Sequence, residues 1–172
     1  SHTVAMGSYD NAYCAKLFRL LGLAGLNFVS CPTESIHLQG RFDSFPKRRG
    51  VTRVAELDRA GLNVCFAQDS IKDPWYPLGN GNILRVLDAG LHICHMMGYE
   101  DLQRCLDFVT GHSAKVMHLG ERYGLAVGRP ANLVVLEAEN DYEVLRRQAR
   151  VRLSIRHGKV IMAREPEQVR YH

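Results

Sequence analysis

The sequence has no CxxC pair, no long apolar run and no aromatic platform among its basic residues, and each absence removes a class of function. Its five cysteines, at positions 14, 31, 65, 94 and 105, are odd in number and irregular in spacing. That argues against a disulfide framework or a zinc knuckle and fits reduced thiols. No apolar run nears the ~18 residues of a membrane span, and the opening SHTVAMGSYD has neither the basic nor the apolar segment of a signal peptide. The expectation is a soluble, cytoplasmic protein. The net charge is only +4, from 22 basic and 18 acidic residues. The basic clusters at 47–49 and 146–152 lack interleaved aromatics on which bases could stack, so nucleic-acid binding is not expected. GNGNIL, at 79–84, lacks GxGxxG spacing and no Lys-Ser/Thr follows it. It reads as a loop feeding a helix, not as a phosphate cradle.

What is present suits one ordinary domain: 172 residues, 46% hydrophobic and 23% charged. Apolar positions at helical spacing predict a helix over 9–23, and LNFVSC at 26–31 reads as a buried strand closed by Pro32. The stretch 33–50 is too rich in Gly, Pro and charge to be regular. A helix over 51–60, a second strand over 62–67, a long helix over 82–97 and further helices over 100–110 and 113–119 follow. This α, β, α, β, α alternation, with both strands continuously apolar, predicts parallel strands joined by crossover helices. Beyond residue 124 the texture changes. Strands are expected at 131–136, 153–155 and 160–163, the last two joined by a hairpin through RHGK, with a helical turn over 142–147. The tail 164–172 is expected to fray.

The second apolar run ends abruptly on an acid, Asp69, in NVCFAQDSIKDPWYP. In parallel α/β folds, side chains at the carboxyl ends of strands face the active-site mouth. Position alone leaves two equal readings for Asp69: a cap on the following turn, or a group at that mouth.

PTESIHLQGRFDSFPKRRGVTRV, then NVCFAQDSIKDPWYPLGNGNILRV, and later HSAKVMHL and YGLAVGRPANLVVL, closely resemble bacterial cytosine deaminase of the metal-dependent amidohydrolase superfamily. The resemblance runs from His2 to about residue 163. It implies an α/β fold: the C-terminal portion of a (β/α)8 TIM-type barrel over 1–123, followed over 124–172 by part of a small β-sandwich. It implies one divalent metal, Fe²⁺ or Zn²⁺. Asp69 matches the family's ligand on strand eight, which also exchanges a proton with the attacking water. His2 matches the residue that orients that water and helps move protons, and Trp75 matches an aromatic closing the substrate pocket. The implied chemistry is hydrolytic deamination of cytosine or a related amino-heterocycle: activated water adds to the carbon bearing the amino group, and a general acid protonates the leaving nitrogen.

Two departures bear on specificity. Ser70 follows Asp69 where the family carries a second Asp, and Gln68 stands where a His is more usual. An uncharged, shorter Ser70 gives a roomier pocket near the pyrimidine 5-position, which favours 5-substituted cytosine or isocytosine. The same stretch also resembles the N-alkyl-ammelide branch of the superfamily. No HxH occurs in the chain, and 172 residues fall short of the ~250 of a whole barrel. The expectation is therefore a C-terminal part of a longer enzyme, holding one metal ligand and inactive alone. The reading of another class is a non-catalytic scaffold. Implied partners are a small heterocyclic substrate and water, with homo-oligomer formation left open; neither nucleic acid nor membrane is expected.

Other candidates read as structural. His92 and His95 have i, i+3 spacing without an acid partner, and His112 starts a helix. His37 packs by default although its loop lies near the family's mouth or subunit contacts, PKRRG is a solvated or ion-paired loop, and Met96 and Met97 are core filler.

Overall fold

Asp10 opens the first helix, α1 (Asn11–Leu23), because its carboxylate accepts the backbone N–H of Tyr13 at 2.8 Å, satisfying a donor that the helix itself leaves free. In the computed structural model, which describes residues 1–165, α1 leads into strand β1 (Phe28–Ser30), helix α2 (Pro32–Leu38), helix α3 (Val54–Arg59) and strand β2 (Val64–Phe66). Helix α4 (Ile83–Ile93) follows, capped by the Asn82 carboxamide, which accepts from the N–H groups of Leu84 and Arg85. Helix α5 (Tyr99–Gln103), a 3-10 turn at Cys105–Val109 and helix α6 (Gly111–Val116) complete the first of two compact units, which ends at His118.

β1 and β2 pair in parallel, Phe28 with Val64, Val29 with Cys65 and Ser30 with Phe66, as the alternation predicts. Every residue of β2 is buried, as are Phe28 and Ser30 of β1, which explains why neither strand alternates polar with apolar. The core gathers on β2. Phe66 meets Phe108 with ring centroids 5.7 Å apart, and Leu57 of α3 and Leu87 and Leu91 of α4 are fully buried with them. Gly90 lets α4 lie close on this strand, since a Cβ there would come within 2.7 Å of the Phe66 ring.

Two local expectations differ. The stretch after β1 is regular at its start, because Pro32 occupies the first turn of α2, where its fixed φ suits a helix and its missing N–H loses nothing. The helix expected over 100–110 is broken at Arg104, whose φ of −120° leaves the helical region. The break turns its guanidinium onto the Asp58 carboxylate and 5.2 Å over the Phe108 ring.

The second unit begins at Leu119. Its sheet has the order β3 (Leu133–Leu136), β4 (Val151–Arg156), β5 (Lys159–Ala163), all antiparallel, with helix α7 (Asp141–Arg146) between β3 and β4. His157 and Gly158 both take positive φ, 48° and 75°, at the β4–β5 turn, the backbone that a two-residue hairpin demands. Most of the tail expected to fray, 166–172, lies outside the described residues. Among the described residues no helix is long and apolar enough to cross a membrane, and all five cysteines are free thiols.

Candidate functional site

Because β1 and β2 run parallel and in register, their carboxyl ends lie at one height. The last pair is Ser30 with Phe66, and the Ala67 N–H donates to the Ser30 carbonyl at 2.9 Å. Glu34 and Ser70 each stand four positions past that pair (34 − 30 and 70 − 66), and the Ser70 hydroxyl donates to Glu34 Oε1 at 2.8 Å.

His2 is brought to the same end of the sheet. Its N–H donates to the Val29 carbonyl at 2.8 Å and its carbonyl accepts the Thr52 hydroxyl. These bonds hold His2 and Thr3 at φ of 70° and 45°, in the left-handed region that non-glycine residues seldom occupy. The outcome is a side-chain pair: His2 Nε2 lies 3.2 Å from Asp69 Oδ2, and His2 Nδ1 lies 3.0 Å from the Ser1 hydroxyl. With the proton on Nε2, the ring donates to Asp69 and accepts from Ser1. The two side chains are 37% and 49% exposed, open enough to receive a third group. Asp69 therefore does not serve as the cap of the next turn. That task falls to Asp73, whose carboxylate accepts the N–H groups of Trp75 and Tyr76, each at 3.0 Å. The Tyr76 N–H is the main reason the Asp73 carboxyl sits below its ordinary range, with the Ser70 hydroxyl and the Trp75 N–H adding to it.

Of the four residues singled out from sequence, the structure brings His2 and Asp69 into contact and sets Ser70 beside them in the chain but turned towards Glu34. Trp75 rides on the loop beyond, its side chain 65% exposed and outside that pair. The loop folds tightly. Lys72 N–H donates to the Gly79 carbonyl at 3.0 Å, and a Cβ on Gly79 would overlap the Ser70 carbonyl oxygen. Gly79→Ala is expected to destabilise the chain by about 1–3 kcal/mol through overpacking. It should also displace Ser70; a denaturant titration reads the first effect and a substrate KM the second.

The neighbouring thiol is held inert. Burial pushes the Cys31 thiol up to about 11, and the negative charges of Asp69 and Glu34 add to this. Near neutral pH it stays protonated and is no nucleophile.

Several buried polar atoms here have no hydrogen-bond partner: Thr3 Oγ1, Ser30 Oγ, Glu34 Oε2 and Gln68 Nε2. Native interiors rarely leave such atoms unpaired unless water, an ion or a ligand meets them. Thr3 and Gln68 adjoin His2 and Asp69 in the chain, and orphaned groups of this kind fit a polar ligand or a metal. Among the described residues no group of three or more His, Cys, Asp or Glu is arranged to hold a metal ion. The pair fits one side of a metal site, not the whole of it.

Three other histidines have local structural partners, while His95, expected on the helix over 82–97, lies past its end at Ile93 with a φ of 58°. His112 Nδ1 donates to the Val64 carbonyl at 2.9 Å, with its ring 5.1 Å from Phe108. His92 bonds back to Asp88 on its own helix, and His37 lies 6.5 Å from the Tyr76 ring. Met96 is fully buried, but Met97 is 46% exposed and fills no core. The α4 helix ends at Ile93, so the helical spacing that would have turned Met97 inward stops short of it. Glu34 is the residue that sequence reasoning passed over. No local signal joins it to Ser70, 36 residues further on.

The amidohydrolase family pattern matches residues 1–162, nearly the whole chain. This chain belongs to the amidohydrolase family. Among solved structures it is similar to 5-methylcytosine deaminase from Klebsiella pneumoniae, liganded with 5-fluorocytosine, at 80% identity and a TM-score of 0.97. That match covers 99% of this chain and 41% of the other. Among curated proteins the chain is 31% identical to a pterin deaminase from Rhizobium rhizogenes, covering 93% of this chain and 36% of that one. It is 29% identical to N-isopropylammelide isopropyl amidohydrolase from a Pseudomonas species, covering 96% and 38%. The chain thus spans about two fifths of the length of the amidohydrolases it resembles.

Proposed function

We propose that these residues form part of a (β/α)8 amidohydrolase barrel that deaminates a 5-substituted cytosine hydrolytically, with β1 and β2 as neighbouring barrel strands and Asp69 at its catalytic mouth. The observation that carries this reading is the 3.2 Å approach of His2 Nε2 to Asp69 Oδ2 at the carboxyl ends of two parallel strands. The 80% identity to a 5-methylcytosine deaminase supports the substrate class.

Asp69 would hold a divalent metal as this chain's ligand, with other ligands supplied from outside the described residues. When bound, the metal makes a water acidic enough to react near neutral pH. The Asp69 carboxylate would accept a proton from the attacking water, and the His2 Nε2–H, 3.2 Å from Asp69 Oδ2, would hold that carboxylate in place. Water oxygen bonds to the ring carbon carrying the amino group. The C–N bond then breaks, the proton goes to the leaving nitrogen, and ammonia and a ring carbonyl result. Ser70 would put a small uncharged group near the pyrimidine 5-position, leaving room for a 5-methyl.

The test is ammonia release by the whole metal-loaded protein from 5-methylcytosine, cytosine, isocytosine, ammelide and a pterin. Preference for 5-methylcytosine supports the reading, and preference for ammelide or a pterin transfers the site to that substrate. Ser70→Asp is expected to move kcat/KM at least about tenfold from 5-methylcytosine towards cytosine, one added carboxylate contact and one lost methyl pocket being together about 1.4 kcal/mol or more. An unchanged ratio would remove Ser70 from the specificity argument.

A further inference from the structure

Glu34 is buried, only 6% exposed, and among the described residues no cation hydrogen-bonds to it. Its Oε1 takes the Ser70 hydroxyl hydrogen at 2.8 Å, and its Oε2 has no hydrogen-bond partner. Ser70 is just as buried, at 5%. Asp73 also draws on the Ser70 hydroxyl, so both groups competing for that hydrogen are acceptors.

A serine hydroxyl carries one hydrogen and two lone pairs. Once the hydrogen is committed to a carboxylate, the oxygen can only accept from any further partner, and its accepting power is raised by the bond it has made. Resting on the function proposed above, we infer that Glu34 is a positioning residue which fixes the polarity of Ser70, making Ser70 Oγ an obligate acceptor for an N–H of the amino-heterocycle. Deamination replaces an amino donor by an oxo acceptor. An acceptor-only Ser70 therefore attracts the substrate and repels the oxo product, so the pair discriminates between the two sides of the reaction and speeds product release.

The experiment compares Glu34→Gln, Glu34→Asp and Ser70→Ala with the unaltered metal-loaded protein. It uses steady-state kinetics on 5-methylcytosine and calorimetric titration with thymine, the oxo product. A glutamine can donate its amide hydrogen to Ser70 and turn the hydroxyl outward. Glu34→Gln is expected to raise KM about tenfold, the scale of one charge-assisted hydrogen bond reversed, with a smaller change in kcat, and to bind thymine more tightly. Glu34→Asp, which keeps the carboxylate, should restore part of the discrimination. In a Ser70→Ala background, Glu34→Gln should add nothing further, because the effect travels through the hydroxyl.

Should Glu34→Gln fail to fold, Ser70→Ala alone decides, since loss of the hydroxyl must weaken the preference for substrate over thymine. An unchanged substrate-to-thymine ratio in the folded variants, or a Glu34→Gln effect undiminished in Ser70→Ala, overturns the inference. Absence of ammonia release from the unaltered protein with every compound would instead overturn the proposed function.

Discussion

Asp69→Asn is expected to lower kcat/KM by at least about 10³-fold, because under the proposed function one substitution removes both a metal ligand and a proton acceptor. The amide keeps an oxygen of nearly the same size in the same place, so the chain should fold as before. The side chain is half exposed and takes no part in the Phe66–Phe108 core, which leaves little stability at stake. What changes is charge. An amide neither attracts a divalent cation comparably nor takes a proton from water. Two measurements separate these effects: metal content by elemental analysis, and turnover with metal supplied in excess. Loss of metal with partial recovery of rate in excess metal would place the defect in binding. Full metal content with no turnover would place it in proton transfer. Retained activity would show that Asp69 does neither, and the proposed site would fail.

His2→Gln is the second large effect, expected at about 10²- to 10⁴-fold in kcat, the range for a positioned acid–base group. The glutamine amide can still donate to Asp69 but cannot pass a proton on. The same replacement at His92 provides the control. His92 is an exposed imidazole bonded to Asp88 on its own helix, and His92→Gln should leave turnover unchanged. Because His2 and Asp69 share one hydrogen bond, they should act as a unit. The doubly altered protein should be scarcely slower than Asp69→Asn alone, whereas independent roles would multiply the losses.

The two predictions rest on geometry that the sequence conveyed unevenly. The acid ending an apolar run is visible as a motif, but its partner is 67 residues earlier. Local spacing supplies no reason to join the two; only the family resemblance suggested it. Likewise, position alone left Asp69 balanced between cap and ligand; the structure gives the Trp75 and Tyr76 amides to Asp73, and the ligand role of Asp69 is part of the proposal.

By its own local chemistry the sequence determined the elements. Asp10, Asn82 and Asn140 cap the helices that follow them, and continuous apolar runs specify strands covered on both faces. His157-Gly158 makes a hairpin turn at positive φ. These are interactions within a few residues, which pattern reading captures. Tertiary structure alone decided the break at Arg104, made where Asp58 and Phe108 offer its guanidinium a better place than a continued helix. It also decided the meeting of Glu34 with Ser70, 36 residues apart, and of His2 with Asp69. The parallel register of β1 and β2 brings their distant ends to one height, and the bonds of His2 to Val29 and Thr52 bring its ring there; no stretch of sequence encodes either by itself.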